Sequence, residues 1–193
     1  NLVDPEDPTA LNGEHDFARI NPAFGVTYNF DNNMGVYGSY SESARAPTPI
    51  ELLCAREDAP CNLPNAFLAD PPLEQVITES YEGGIRGVLN NGISYSISAF
   101  HSTNNNDIIF GSTGGSTSSR GFFRNVGDTE RVGTEVGLNG IFNKKLNWYL
   151  NYSYVDASFQ DAFVGISANH PNASDLNGDG DANEIQVNPG DRI

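Results

Sequence analysis

No stretch of this 193-residue chain is apolar over a length that crosses a membrane as a helix. Such a helix needs roughly 18–20 consecutive apolar residues. That excludes helical membrane proteins. It leaves membrane β-barrels open, because in a barrel strand only every second residue faces lipid. Basic residues are also scarce: 10 Lys and Arg stand against 25 Asp and Glu, giving a formal net charge of -15. Nucleic-acid binding requires basic surface, so no nucleic-acid partner is expected. Nineteen of the 25 acids fall in residues 1–20, 42–80 and 156–193, which read as loops. Acidic loops on weakly charged strands suit cation attraction or plain solubility.

Cysteine is nearly absent. Cys54 and Cys61 are the only two, and both sit in a Pro-rich stretch. One disulfide in an oxidising compartment is the expectation. Two free thiols, or half of a metal site, are the alternatives; no His lies nearby to complete a zinc site. Catalytic patterns are missing as well. No G-x-S-x-G elbow occurs, and serines such as Ser94, Ser96 and Ser98 simply alternate along one run. Glu82 and Glu135 can be read as a carboxylate pair for glycoside hydrolysis. The competing reading makes them inward-facing strand residues beside neighbours such as Arg86. No enzyme is expected.

What the chain does have is period-two alternation, the signature of strands with two unlike faces. Phe24, Val26, Tyr28 and Phe30 share one face. Ile93, Tyr95, Ile97 and Ala99 share another, opposite the three serines. Residues 121–159 hold two such runs meeting at a turn around Asn143, Lys144 and Lys145. There Val136 and Leu138 alternate with Glu135 and Asn139. Beyond the turn, Trp148, Leu150, Tyr152 and Tyr154 alternate with Asn151 and Ser153. Residues 49–55 have the composition of one helical turn.

Connections sort by length. Short turns are predicted at 31–34, 89–92 and 143–146. Long ones are predicted at 44–74, 104–120 and from 160 onward; the first holds six prolines, which break a ladder. Strict alternation of short and long puts every short turn at one end of an up-and-down meander. Outer-membrane barrels have this asymmetry. The fold expected is therefore all-β: an antiparallel meander of about six strands of a transmembrane β-barrel with long extracellular loops. Residues 1–193 make one incomplete domain, expected to be a piece of a longer protein.

Ser39-Tyr40-Ser41 leading into Arg45-Ala46-Pro47-Thr48 and Glu51-Leu52 resembles a strand-to-loop signature of TonB-dependent outer-membrane receptors. Glu82-x-Gly84-x-Arg86, then a tight turn and a Ser-rich strand ending in Phe100, resembles the same family. So do Asn125-Val126-Gly127, Gly133-x-Glu135, and Pro189-Gly190-Asp191-Arg192-Ile193 as the start of a further strand. The resemblance implies a barrel of about 22 strands closed by an N-terminal plug. It implies import of a large nutrient, first an iron chelate (siderophore), energised through the TonB protein of the inner membrane. The implied location is the outer membrane, with its lipid, the plug of the same chain, TonB and the nutrient as partners. A passive porin-type barrel is the alternative within membranes. A secreted, calcium-binding adhesion or structural protein is the alternative outside them. Haem as cargo would favour a histidine after the Arg45-Ala46-Pro47 element. Residues 46–66 have none, and His15, His101 and His170 show no ligand spacing.

One metal motif stands out. Asp175, Asn177, Asp179, Gly180, Asp181 and Asn183 occupy positions 1, 3, 5, 6, 7 and 9 of a 12-residue calcium loop. Position 12 holds Gln186 where a bidentate carboxylate belongs, with Glu184 as a substitute. A structural calcium ion in an extracellular loop is one reading. An acidic Gly-rich turn without metal is the other. No cofactor is required on either.

Overall fold

The computed structural model describes residues 16–30, 33–53, 61–62, 73–89, 92–112, 120–167, 170–178 and 180–193. Eleven strands and one short helix follow in chain order. They are β1 (Ala23–Phe30), β2 (Met34–Arg45), α1 (Pro49–Leu53), β3 (Cys61–Asn62), β4 (Val76–Val88) and β5 (Ser94–Asn105). Then come β6 (Ile108–Ser112), β7 (Arg120–Asn125), β8 (Thr129–Phe142), β9 (Leu146–Phe159), β10 (Phe163–Ile166) and β11 (Glu184–Val187). Six of them form one antiparallel sheet in the order β1-β2-β4-β5-β8-β9. β3, β7 and β6 make a small second sheet, and β10 pairs with β11.

The alternation read from the sequence survives in the register. Tyr40 pairs with Tyr81, Tyr81 with His101 and His101 with Val132. Val36, Ile85, Ile97, Val136 and Tyr152 form a parallel row on the same face. The other face carries Ser39, Glu82, Arg86, Ser96, Ser98, Glu135, Asn139, Asn151 and Ser153. Leu138 faces Leu150, and Glu135 faces Ser153. The hairpin thus splits as its sequence predicts: Trp148, Leu150, Tyr152 and Tyr154 on the apolar side, Asn151 and Ser153 on the polar side.

The three short turns lie at one end. At Asn143 and Lys144 both φ values are positive, 54° and 57°, and the Lys145 N–H returns to the Phe142 carbonyl at 3.2 Å. That is a two-residue turn whose hand matches the strand twist. At the second turn the Gly92 N–H meets the Leu89 carbonyl at 2.8 Å, with Gly92 at φ 79°. Asn90 and Asn91 themselves lie outside the described residues.

One part of the opening run departs from expectation. Residues 121–128 do not extend the β8 strand. Arg120–Asn125 pairs instead with β6 and β3. The break falls at Gly127, whose φ of 91° a strand residue does not adopt.

The apolar face of the six-stranded sheet has no protein covering it. Leu150 is 59% exposed and Tyr152 60%. Burial is found at the long-loop end instead, where Leu73, Val76 and Ile108 pack together with Leu52 and Phe123 against them.

Candidate functional site

The apolar face is a bounded band. On β9 the outward residues Leu146, Trp148, Leu150, Tyr152 and Tyr154 carry no charge, and Asp156 ends the series. Eight rises of about 3.3 Å give ~26 Å along the strand. A barrel tilt of about 40° reduces that to ~20 Å, near the ~25 Å apolar band of outer-membrane barrels. A row of Glu42, Glu79, Thr103 and Glu130 closes the band at the long-loop end. Immediately below it run the rings of Phe24, Tyr40 and Tyr81, 5.3 and 4.8 Å apart, with His101 stacked next at 6.3 Å. Amphipathic rings under a row of charges are what an interface between hydrocarbon and water selects.

The opposite face is polar and internally bonded. The Tyr37 hydroxyl donates to Glu82 Oε1 at 2.6 Å, and the Arg86 guanidinium lies 5.7 Å from the Tyr37 ring centre. Tyr37 is held flat because Gly84 sits beneath it: a Cβ there would lie 2.8 Å from the ring. Glu82 and Arg86 share this face, as their spacing predicts, with Tyr37 between them. Ser80 meets Ser102 at 3.0 Å, and Thr78 donates to Asn104 at 2.8 Å. Tyr37 thus accounts for Glu82 without any hydrolytic role.

Two sequence signatures acquire physical reasons at the long-loop end. Thr48 is the N-cap of α1, and Pro49 opens the helix, where its missing N–H costs nothing. Glu51 Oε2 accepts the Thr48 N–H at 2.7 Å and the Thr48 hydroxyl at 2.9 Å. Arg45, at the end of β2, reaches the same oxygen at 2.7 Å. This is a capping box locked to the strand below it. Burial pushes the Glu51 carboxyl up, but the hydrogen bonds from Arg45 and Thr48 outweigh it and hold the group below its ordinary value.

Asn125-Val126-Gly127 is the second signature. Asn125 Oδ1 accepts the Glu74 N–H at 3.0 Å, and Nδ2 donates to the Glu74 and Asn106 carbonyls at 3.3 and 2.6 Å. One amide therefore ties the approach to β4 to the end of β5. Val126 is buried. Gly127 has Asp161 so close that a Cβ would lie 2.4 Å from its carboxylate, and that carboxylate accepts the Asp128 N–H at 2.7 Å. Beside them Thr129, 1% exposed, donates to Asp107 at 2.7 Å.

Residues 3–186 match a family described as TonB dependent receptor-like, beta-barrel. The chain belongs to that family. No curated protein matches it. As a TonB-dependent receptor barrel, its polar face is the lumenal one and its long-loop end the outward one, in keeping with the loop sorting.

The remaining predicted site residues fall as follows. Cys54 and Asp179 lie outside the described residues, as does His15. Cys61 lies in β3. Asp175 folds back on its own loop, its two oxygens accepting the Gly178 and Gly180 N–H groups at 2.6 and 3.0 Å. Asn177, Asp181 and Asn183 follow in the same segment, which Ser174 and Glu184 close by bridging. Glu184 Oε2 accepts the Leu176 N–H at 2.9 Å. Among the described residues no three His, Cys, Asp or Glu side chains gather as metal ligands. His101 contacts Glu130 at 2.8 Å on the outward face, and His170 Nδ1 accepts the Asn172 N–H at 3.2 Å.

Sequence reasoning missed Arg124. Its guanidinium lies between the rings of Phe122 and Phe163, 5.9 and 5.4 Å from their centres, and donates to the Val164 carbonyl. It fastens the β10–β11 hairpin to the β6–β7 hairpin. No local pattern announces this, because the partners are 40 residues apart.

Proposed function

We propose that the protein is an outer-membrane receptor that imports a large nutrient with energy delivered by TonB. The observation that carries this reading is the charge-free outward band, about 20 Å high, backed by a polar inward face. Lipid satisfies the band, the plug of the same chain packs against the polar face, and the long loops capture the nutrient. The role is transport, not catalysis. Fractionation tests it: the protein should require detergent for release from the outer membrane, and uptake should stop when TonB is deleted. Uptake indifferent to TonB would favour a porin-type barrel. Release without detergent would favour the adhesin reading.

An iron chelate is the first candidate cargo, on the strength of family membership alone. Induction of the gene under iron starvation is its test, and a gene indifferent to iron would remove it. Two structural elements belong to the same reading. A Cys54–Cys61 disulfide staples the loop between α1 and β4, and mass spectrometry of the unreduced protein should find the crosslinked peptide. A calcium ion on Asp175, Asn177, Asp179, Asp181 and Asn183 stiffens the last loop. Calorimetry at millimolar calcium tests it, and absence of heat would leave that loop an acidic turn.

A further inference from the structure

Where the β10–β11 hairpin leans on β6–β7, the two enclose a cavity of about 140 Å³. Phe122, Val164 and Ile166 give it apolar walls, and Arg124, Asn177 and Glu184 line it with polar groups. Two of these are unusual. Glu184 is only 3% exposed, with one carboxylate oxygen taken by the Leu176 N–H. Arg124 spends a terminal nitrogen on the Val164 carbonyl, and its Nε–H is buried with no acceptor. A buried donor left without a partner is costly, so such an atom marks a place where something else completes the bond.

The charges select what that is. A carboxylate or phosphate entering would meet the Glu184 carboxylate, and an ammonium would meet the Arg124 guanidinium. A hydroxyl is donor and acceptor at once. One hydroxyl takes the Arg124 Nε–H while a neighbour on the same ring donates to Glu184. The C–H face of the ring then covers Val164, Ile166 and Phe122, as apolar walls require. We infer that this cavity is a subsite for a neutral polyhydroxyl group, a sugar unit of a carbohydrate, at the loop end of the receptor. The inference rests on the receptor reading and names a cargo class other than an iron chelate.

The test is isothermal titration calorimetry of the purified receptor in detergent. The probes are maltotriose, cellotriose and xylotriose, with an oligoglucuronide as the charged control. At least one neutral trisaccharide should bind saturably, and the glucuronide should bind at least tenfold more weakly. Ile166→Phe, which fills the cavity, and Glu184→Gln, which keeps the shape and removes the charge, should each weaken binding at least tenfold. Heat-modifiable migration on gels checks that each variant folds, and either variant alone suffices. Absence of heat with all three neutral sugars overturns the subsite, leaving water as its occupant. So does binding that both variants leave intact, or a preference for the glucuronide. None of these results touches the receptor reading, which stands or falls on fractionation and on TonB-dependent uptake.

Discussion

The six-stranded wall and the loop platform above it obey opposite rules of burial. In the wall, Phe24, Val26, Leu150 and Tyr152 are more than half exposed and no layer of protein lies over them. In the platform, Leu73, Val76 and Ile108 pack into a small core. Beside it, polar groups such as Thr129 and Asn125 find protein partners. A sheet that shows a continuous apolar face and yet keeps a regular ladder is built for a solvent other than water. The platform is built for water and needs a core of its own. The charge distribution draws the same boundary: the row of Glu42, Glu79 and Glu130 sits where the wall ends.

The sharpest way to break this contrast is a charge on each face of one strand. Leu150→Arg puts a cation in the middle of the band and should cost about 2–4 kcal/mol in bilayer folding, the figure for Arg at the midplane. Asn151→Arg, one residue along and on the lumenal face, should fold as the parent does. Equal losses, measured by denaturant unfolding in lipid vesicles, would mean that the two faces are not in different solvents.

Next in size are changes at the platform. Gly127→Ala forces a side chain onto a backbone at φ 91° and into the Asp161 carboxylate. A non-glycine residue there carries ~1–3 kcal/mol of strain. Asn125→Ala removes the three hydrogen bonds that join Glu74 to Asn106, each worth about 0.5–1.5 kcal/mol. Both variants should make the long loops easier to cleave with protease while the wall keeps its detergent-resistant fold. Loss of the wall itself would show that wall and platform fold as one unit.

Much of the wall was legible in the sequence. A period-two pattern fixes which face each residue takes, and the short turns fix the register, so Leu150 and Asn151 were separable before any coordinates. The platform was legible only in fragments. Arg45, Thr48 and Glu51 are six residues apart at most, so a capping box leaves a local trace. Asn125 and Glu74 are 51 apart, and Arg124 and Val164 are 40 apart. Contacts of that kind depend on how two loop hairpins lean together, and no period or composition encodes it. Residues 121–128 show the same limit: they alternate like the strand that follows, yet Gly127 turns them into another sheet.

The smallest effect concerns Arg45 and Glu51, and it separates platform from wall by pH. The pair is partly exposed, with side chains 46% and 12% accessible, so it is worth no more than about 1 kcal/mol after solvent screening. Its sign is nevertheless definite. The Glu51 carboxyl is held below its ordinary value in the folded protein, so the unfolded loop binds a proton more readily. The stabilisation is therefore fully present above the unfolded value of about 4.3 and disappears as pH falls through the lower folded value. Glu51→Gln lacks it at every pH. Protease resistance of the loop after β2 should favour the parent over Glu51→Gln between pH 5 and 8, and the two should converge below about pH 4. The outward band of the wall carries no carboxylate between Leu146 and Tyr154, so Leu150→Arg should cost the same at both pH values. A gap between parent and Glu51→Gln that widened on acidification would contradict the capping role assigned to that carboxylate.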